Sequence, residues 1–136
     1  MKKPTVRNIE LCDYEVLNTW WEGNGYQMPS LEDLPEEGLG GLVVETDKPI
    51  AAGFIYLTNS NKGYVDFVIS DPRYKGKDRY ELILKLIEHC LDYALDLGCR
   101  SVWAMTRSNG IIKRCKELGY SVTTKDYSIV ASYKIK

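Results

Sequence analysis

Apolar positions along the chain change period several times, and each change marks an element. Thr5 to Ile9 predicts a first strand, and a helix starts at Asp13, a residue suited to the N-cap. Tyr14, Leu17 and Trp21 share one face of that helix, Val16 and Trp20 lie beside it, and Gly23 and Gly25 end it. The next stretch, "NGYQMPSLEDLPEEGLGG", is interrupted by two prolines and several glycines. It reads as a loop with one helical turn near Ser30–Leu34. Long ordered loops in a small domain are usually functional.

Three strands follow at hairpin spacing. Gly41–Glu45 and Ile50–Thr58 flank the turn "TDKP", and "NSNKG" turns the chain into a strand over Tyr64–Ser70. "IAAGFIYLT" is apolar almost without alternation, as expected for a central strand covered on both faces. A long helix runs from about Lys77 to Leu97, with Ile83, Leu86, Ile87, Cys90, Leu91 and Ala94 on a helical period and Gly98 closing it. Arg100–Met105 is a strand and Asn109–Leu118 a short helix ended by Gly119. Tyr120–Thr123 and Tyr127–Lys134 form a final hairpin. Strands joined by tight turns are antiparallel neighbours, whereas the long helix returns the chain for a parallel strand at residue 100. The fold class is therefore α/β (α+β in its segregation), with a mixed, mostly antiparallel central sheet and helices on both faces.

Composition narrows the function. The 136 residues make one domain over 1–136, large enough for its own core. A net charge of −1 provides no overall basic field for nucleic acid or anionic membrane. Cys12, Cys90, Cys99 and Cys115 stand far apart, and His89 is the only histidine, which argues against a zinc site or a Ser-His-Asp triad. No apolar run approaches a membrane span, and "MKKPTVRN" is not followed by a signal-peptide core, so a reduced, cytoplasmic protein is expected, monomeric or homodimeric.

One segment raises a chemical question. "DPRYKGKDRYELILKLIEHCLDYA" is a strand exit, a short basic loop and a helix N-terminus, a junction that suits phosphates. Asp78 stands in that loop among Arg73, Lys75, Lys77 and Arg79; as an N-cap it would turn toward the helix's own N–H groups. The plainer reading is a solvated basic turn before a capped helix. On the preceding strand, alternation places Val65, Phe67 and Ile69 on one face and Tyr64, Asp66, Val68 and Ser70 on the other. Two adjacent tryptophans, Trp20 and Trp21, cannot both face the core from one helix, so one belongs at the surface or over a cleft.

The order of elements resembles the GCN5-related N-acetyltransferase (GNAT) fold over nearly the whole chain. In "PRYKGKDRY", Pro72 fits the family's Pro-x-x-(Arg/Gln)-x-x-Gly-x-(Gly/Ala) loop, Lys75 stands at the Arg/Gln position, and Asp78 and Tyr80 replace the two signature glycines. "SNGIIKRCKELGY" resembles the family's closing helix, with Leu118, Gly119 and Tyr120 fitting its ending. The N-terminal half, with "DYEVLNTWW", "LPEEGLGGLVVE" and "PIAAGFIYLT", looks like divergent short acetyltransferases encoded by bacteriophages.

The resemblance implies acetyl-CoA as acetyl donor, with its pyrophosphate over Lys75, Gly76, Lys77, Asp78, Arg79 and Tyr80 and its pantetheine arm along Val68 to Ser70. It implies Asp66 as the base that deprotonates the incoming ammonium, against the plainer role of an aspartate bonded to a neighbouring loop. Cys115 stands where many members carry a proton-donating tyrosine; Tyr120 and Tyr64 are substitutes on which nothing is staked. Trp20, Trp21 and Tyr26, with Met28, lie where the fold builds its acceptor pocket. The function implied is acetyl transfer from acetyl-CoA to a primary amine of a small molecule or protein. The alternative is a GNAT-fold module that has lost turnover and docks a protein partner.

Overall fold

The computed structural model describes residues 3–104, 106 and 108–121. Among these the order is β1 (Thr5–Asn8), α1 (Tyr14–Gly23), β2 (Gly41–Glu45), β3 (Pro49–Leu57), β4 (Lys62–Ser70), α2 (Arg79–Asp96), β5 (Ser101–Trp103) and α3 (Asn109–Glu117). Single 3₁₀ turns precede α1 at Leu11–Asp13 and occupy the loop at Leu31–Asp33, and Pro35–Gly38 makes a turn in which Glu36 and Glu37 are left-handed (φ +53° and +51°). The strands lie in sequence order, antiparallel from β1 to β4 and parallel between β4 and β5. The expected mixed sheet is present. Most of the final hairpin expected from residue 120 onward lies outside the described residues, and Tyr120 and Ser121 belong to no strand.

Two apolar clusters cover the two faces. Leu82, Ile83, Leu86, Ile87 and Cys90 of α2 pack on Leu42, Val44, Ala51, Ile55 and Val65. On the other face Leu17, Trp20 and Trp21 of α1 pack on Val43, Ala52, Phe54 and Ile69. The successive residues 42, 43 and 44 thus alternate between helices, which is why β2 and β3 read as continuous apolar runs. Both α2 and α3 end at a glycine in the left-handed region, Gly98 (φ +101°) and Gly119 (φ +95°).

Asp13 holds the N-terminal end together, though not as a cap of α1. Its carboxylate accepts a fork from Arg7, Nη1 and Nη2 both at 2.8 Å, and the N–H of Glu10 at 2.7 Å. Arg7 Nε donates to Glu45 on β2 at 3.0 Å. A forked guanidinium is a stronger partner than a helix N–H, so the expected cap is diverted.

β4 departs from simple alternation. Its register against β3 shifts between Ala52 and Phe54, pairing Ala52 with Ile69 and Phe54 with Asp66, so an extra residue sits near Phe67. Phe67 is left-handed (φ +52°) and 40% exposed. The face expected from alternation therefore splits: Val65 packs toward α2, Ile69 toward α1, and Phe67 with neither. Asp66, opposite Phe54, faces the α1 side, while Val68 packs toward α2, so the expected common face of Asp66 and Val68 does not exist.

A left-handed backbone costs an L-residue about 1–2 kcal/mol, and a β-branched one more. Because the Phe67 ring is partly exposed, Phe67→Gly should melt close to the wild type, whereas Phe67→Val should melt clearly lower. Equal melting of the two variants would show that the positive φ carries no strain.

Candidate active site

The β4–β5 ladder is short. It pairs Lys62 with Ser101, Gly63 with Val102 and Tyr64 with Trp103, and stops. Past Tyr64 the two strands part, and a cavity of about 580 Å³ opens between them. Its walls are β4 from Val65 to Ser70, the inner faces of α2 and α3, and the segment that leaves α1. Among the described residues, the edge of β4 turned toward β5 makes no ladder bond along these six residues.

Asp66 stands on this stretch, half-buried, with Oδ1 accepting the N–H of Phe67 at 2.8 Å. Burial raises its pKa above the ordinary value, and the Phe67 N–H opposes this. It lies near Tyr56, whose hydroxyl donates to the Asp33 carbonyl at 3.0 Å and whose pKa is pushed up to about 12 by burial and then by Asp66 and Asp33. The cavity therefore holds a desolvated carboxylate, biased toward accepting a proton.

At the other end of the same edge, β4 runs into the loop before α2. Lys75, Gly76, Lys77 and Asp78 are exposed, and their N–H groups find no acceptor among the described residues. These four N–H groups lie in the loop just before an 18-residue helix, whose N-terminal end favours negative charge, so the junction offers donors of the kind an anion takes. The pyrophosphate of an acyl-CoA fits that chemistry.

The side chains depart from expectation at three positions. Asp78 occupies the N-cap position but makes no cap bond; its carboxylate accepts the Tyr74 hydroxyl. That contact lies against Gly76, where a Cβ would crowd the Tyr74 hydroxyl and Asp78 Oδ1. Arg79 lines the cavity, but its fork is already engaged, Nη1 with the carbonyls of Asp71 (3.0 Å) and Tyr74 (3.1 Å) and Nη2 with Ser70 Oγ (2.5 Å). It shapes the loop more than it offers a free charge. Tyr80 turns to α3: its ring stacks under Arg114, 4.3 Å away, and its carbonyl accepts Arg114 Nε at 3.1 Å.

On the acceptor side both tryptophans are buried, Trp20 to 1% exposure and Trp21 to 3%, against the expectation that both cannot face the core. The loop after α1 is the reason, since Leu34, with Met28 and Leu31 at its edge, closes over the same cluster. Trp21, stacked on Phe54, also lies over the cavity, the place expected for one of the two if not at the surface; Trp20 does not. Tyr26 is 66% exposed at the cavity mouth. Cys115 is buried in the wall, its thiol pushed up by desolvation. The Tyr120 hydroxyl is buried without a partner among the described residues, and burial pushes its pKa to about 12.

Sequence reasoning missed Arg114 and Asn24. Arg114 is a buried cation in the cavity wall, and a basic residue within "IIKRCKE" gives no sign of that. Asn24 donates to the carbonyls of Trp20 (2.8 Å) and Ser70 (3.2 Å), tying the end of α1 to the end of β4. Beside it, a Cβ on Gly23 would lie 2.8 Å from Pro72 Cγ, so glycine lets the loop of β4 close on α1.

The acetyltransferase (GNAT) family matches residues 4–120, and the chain belongs to that family. No curated protein matches the chain. Among solved structures, the ribosomal-protein-S18-alanine N-acetyltransferase of Escherichia coli superposes with a TM-score of 0.73 at 16% identity, covering 90% of this chain and 80% of its own. The glucosamine-6-phosphate N-acetyltransferase of Arabidopsis thaliana gives 0.63 at 21% identity, covering 99% and 100%. The N-acetylglutamate synthase of Neisseria gonorrhoeae, complexed with coenzyme A and N-acetyl-glutamate, gives 0.70 at 16% identity, covering 91% of this chain and 30% of its own. At these identities the likeness is one of fold. Among the described residues no helix is long and apolar enough to cross a membrane.

The raised pKa of Asp66 carries a stability consequence. A carboxyl that binds its proton more tightly when folded contributes stability below its unfolded pKa and loses it as pH rises through the folded value. Asp66→Asn, which stays neutral, should therefore melt higher than the wild type at pH 7, and the difference should shrink toward pH 3. A constant difference across that range would mean that the carboxylate is not desolvated.

Proposed function

We propose that the chain catalyses acetyl transfer from acetyl-CoA to a primary amine. One arrangement carries the reading: the free edge of β4 runs from a desolvated Asp66 at one end to four orphan N–H groups at the other. Bound acetyl-CoA supplies the acyl group as a thioester, which a neutral amine attacks and an ammonium does not.

The chain's own groups then divide the work. The N–H groups of 75–78 and the positive end of α2 hold the pyrophosphate, with Lys75 and Lys77 beside them. The edge from Val68 to Ser70 offers backbone partners to an extended amide-bearing arm. Arg79 and Asn24 fix the end of that edge, the first through Ser70 Oγ and the second through the Ser70 carbonyl. Asp66 takes the proton of the arriving ammonium, directly or through one water, and its raised pKa suits that task. Trp21 and Tyr26 bound the acceptor's approach. Trp20, which does not line the cavity, supports α1 from within the core.

The same reading puts the protein in the cytoplasm as a monomer or homodimer. It keeps the likeness of the N-terminal half to short bacteriophage-encoded acetyltransferases as part of the proposal. A second reading, a protein-binding module without turnover, is favoured by one feature: Asp78 lies against Gly76 in the loop that would hold the phosphates.

Titration calorimetry with acetyl-CoA separates the two, since the first requires measurable binding and none at millimolar ligand would leave the module. Asp78→Gly should tighten acetyl-CoA binding. It forfeits no helix cap, because Asp78 makes none. Weaker binding would show instead that the Tyr74–Asp78 contact organises the loop.

Asp66→Asn should leave that affinity nearly unchanged and lower turnover by about 10²-fold or more, least at high pH where the free amine predominates. Full activity of this variant at every pH would remove Asp66 from the mechanism.

A further inference from the structure

Three charged side chains are buried among the described residues: Asp13, Asp71 and Arg114. Asp13 is paired with Arg7, and Asp71 with the side chain and the N–H of Arg73. Arg114 is paired with no carboxylate among the described residues. It is 8% exposed and lines the cavity. Of its five donors only Nε is spent, on the carbonyl of Tyr80; Nη1 and Nη2 find no acceptor among the described residues.

The surroundings make this charge costly. Tyr80 is the second residue of α2, and its ring lies 4.3 Å from the guanidinium carbon. Nη1 lies against Gly110, the second residue of α3, where a Cβ would stand 3.1 Å from it. The guanidinium is thus wedged between the first turns of two helices, whose N-terminal ends are themselves positive. Burial pushes its pKa down, as does the charge of Arg79, against Tyr80, Glu117 and Glu81. A buried cation in such a place is unfavourable unless an anion joins it. The Tyr80 ring offsets part of that cost, and an apolar side chain would hold α3 to α2 without it. Unspent guanidinium donors in a cavity wall suit an anion with several oxygens.

The position limits which anion. Arg114 is bonded to Tyr80, and the residue before Tyr80, Arg79, is bonded to Ser70 Oγ. Arg114 therefore belongs to the end of the β4 edge that runs into the loop of residues 75–78. Asp66, where the acyl group and the acceptor would meet, stands at the other end.

We infer that Arg114 is a second phosphate-binding residue, its Nη groups taking the pyrophosphate of the acyl-CoA donor from the cavity side while the N–H groups of 75–78 take it from the loop. Tyr80, standing where the family motif carries a glycine, positions that guanidinium. The inference rests on the acetyltransferase reading above and adds a donor from outside the loop.

The test is calorimetry and thermal melting of the full chain with Arg114→Met and Arg114→Lys. Without ligand, Arg114→Met should melt no lower than the wild type, since it removes a charge that no carboxylate balances. Acetyl-CoA should bind Arg114→Met at least about tenfold more weakly than the wild type. Dephospho-CoA, which keeps the pyrophosphate and lacks the 3′-phosphate, should show the same fold-loss relative to its own wild-type affinity. Arg114→Lys, a point charge without the fork, should fall between, and it carries the comparison if the methionine variant does not fold. S-acetylpantetheine, which has no phosphate, should shift the melting of wild type and variants equally.

Equal acetyl-CoA affinity in the wild type and the variants would overturn the inference and leave the transferase reading standing. A loss with acetyl-CoA but none with dephospho-CoA would overturn the pyrophosphate assignment in favour of the 3′-phosphate. A lower ligand-free melting temperature, with S-acetylpantetheine weakened as much as acetyl-CoA, would reduce Arg114 to a staple between α2 and α3. Weaker acetyl-CoA binding as expected, with no CoA released in the presence of any amine, would sink the transferase reading and leave the phosphate site standing.

Discussion

Much of the molecule depends on what β4 does between Tyr64 and Ile69. An interior strand normally satisfies both edges through its neighbours, and buried backbone groups left without partners are costly. Here β3 takes one edge along most of its length while β5 releases the other after Tyr64↔Trp103. The extra residue near Phe67 exchanges the faces of everything beyond it, sending Ile69 to the α1 cluster and Val68 to the α2 cluster. An unbroken alternation would set Val65 and Ile69 on one face and deprive the α1 side of a core residue. Asp66 stands before that residue and keeps the α1 side by ordinary alternation, opposite Phe54. One local irregularity, beside an edge that β5 has released, thus lets β4 contribute to both apolar layers.

The loop before α2 is shaped by side chains whose sequence suggests other work. Arg79 spends its fork on Asp71, Tyr74 and Ser70, which pins the turn while the N–H groups of 75–78 find no acceptor among the described residues. Tyr74 and Asp78 meet over Gly76, where a side chain would have to push their ends aside, and its φ is not positive. Tyr80, where the family motif carries a second glycine, packs beneath Arg114 and couples the start of α2 to α3. The loop keeps its donors even though two of its glycines are gone, because the replacements point along the helix junction.

The order of elements was legible because period and turn chemistry change together at each boundary. What the sequence hid has physical causes. Val65, Phe67 and Ile69 alternate without a flaw, and nothing in three apolar residues announces that one takes a left-handed backbone. Asp13 and Asp78 are good N-cap residues, yet a forked arginine and a tyrosine hydroxyl compete for them, and those partners are set by tertiary contacts. Trp20 and Trp21 were weighed against a helix seen alone; a loop carrying Leu34 closes over both. Asp66 was legible as a candidate because a carboxylate in an apolar strand is conspicuous, whereas Arg114 lies in a basic helix and draws no notice.

These differences divide the molecule into a constrained half and a freer one. On the α2 side, β3, β4 and α2 share one core, and changes there disturb the open edge itself. On the α1 side, residues 24–40 reach the core through a few anchors, Met28, Leu31 and Leu34, with the Tyr14 hydroxyl bonded to the Gly38 carbonyl. Between those anchors Glu32, Glu36 and Glu37 are exposed and can vary in charge without cost to the sheet. On the reading proposed above, such a fold can hold one donor site while accepting different amines, since the backbone groups proposed for the donor are fixed by packing and the side chains near the proposed acceptor are not. Fold alone therefore says little about the acceptor. Its identity has to be sought in the residues carried by that loop.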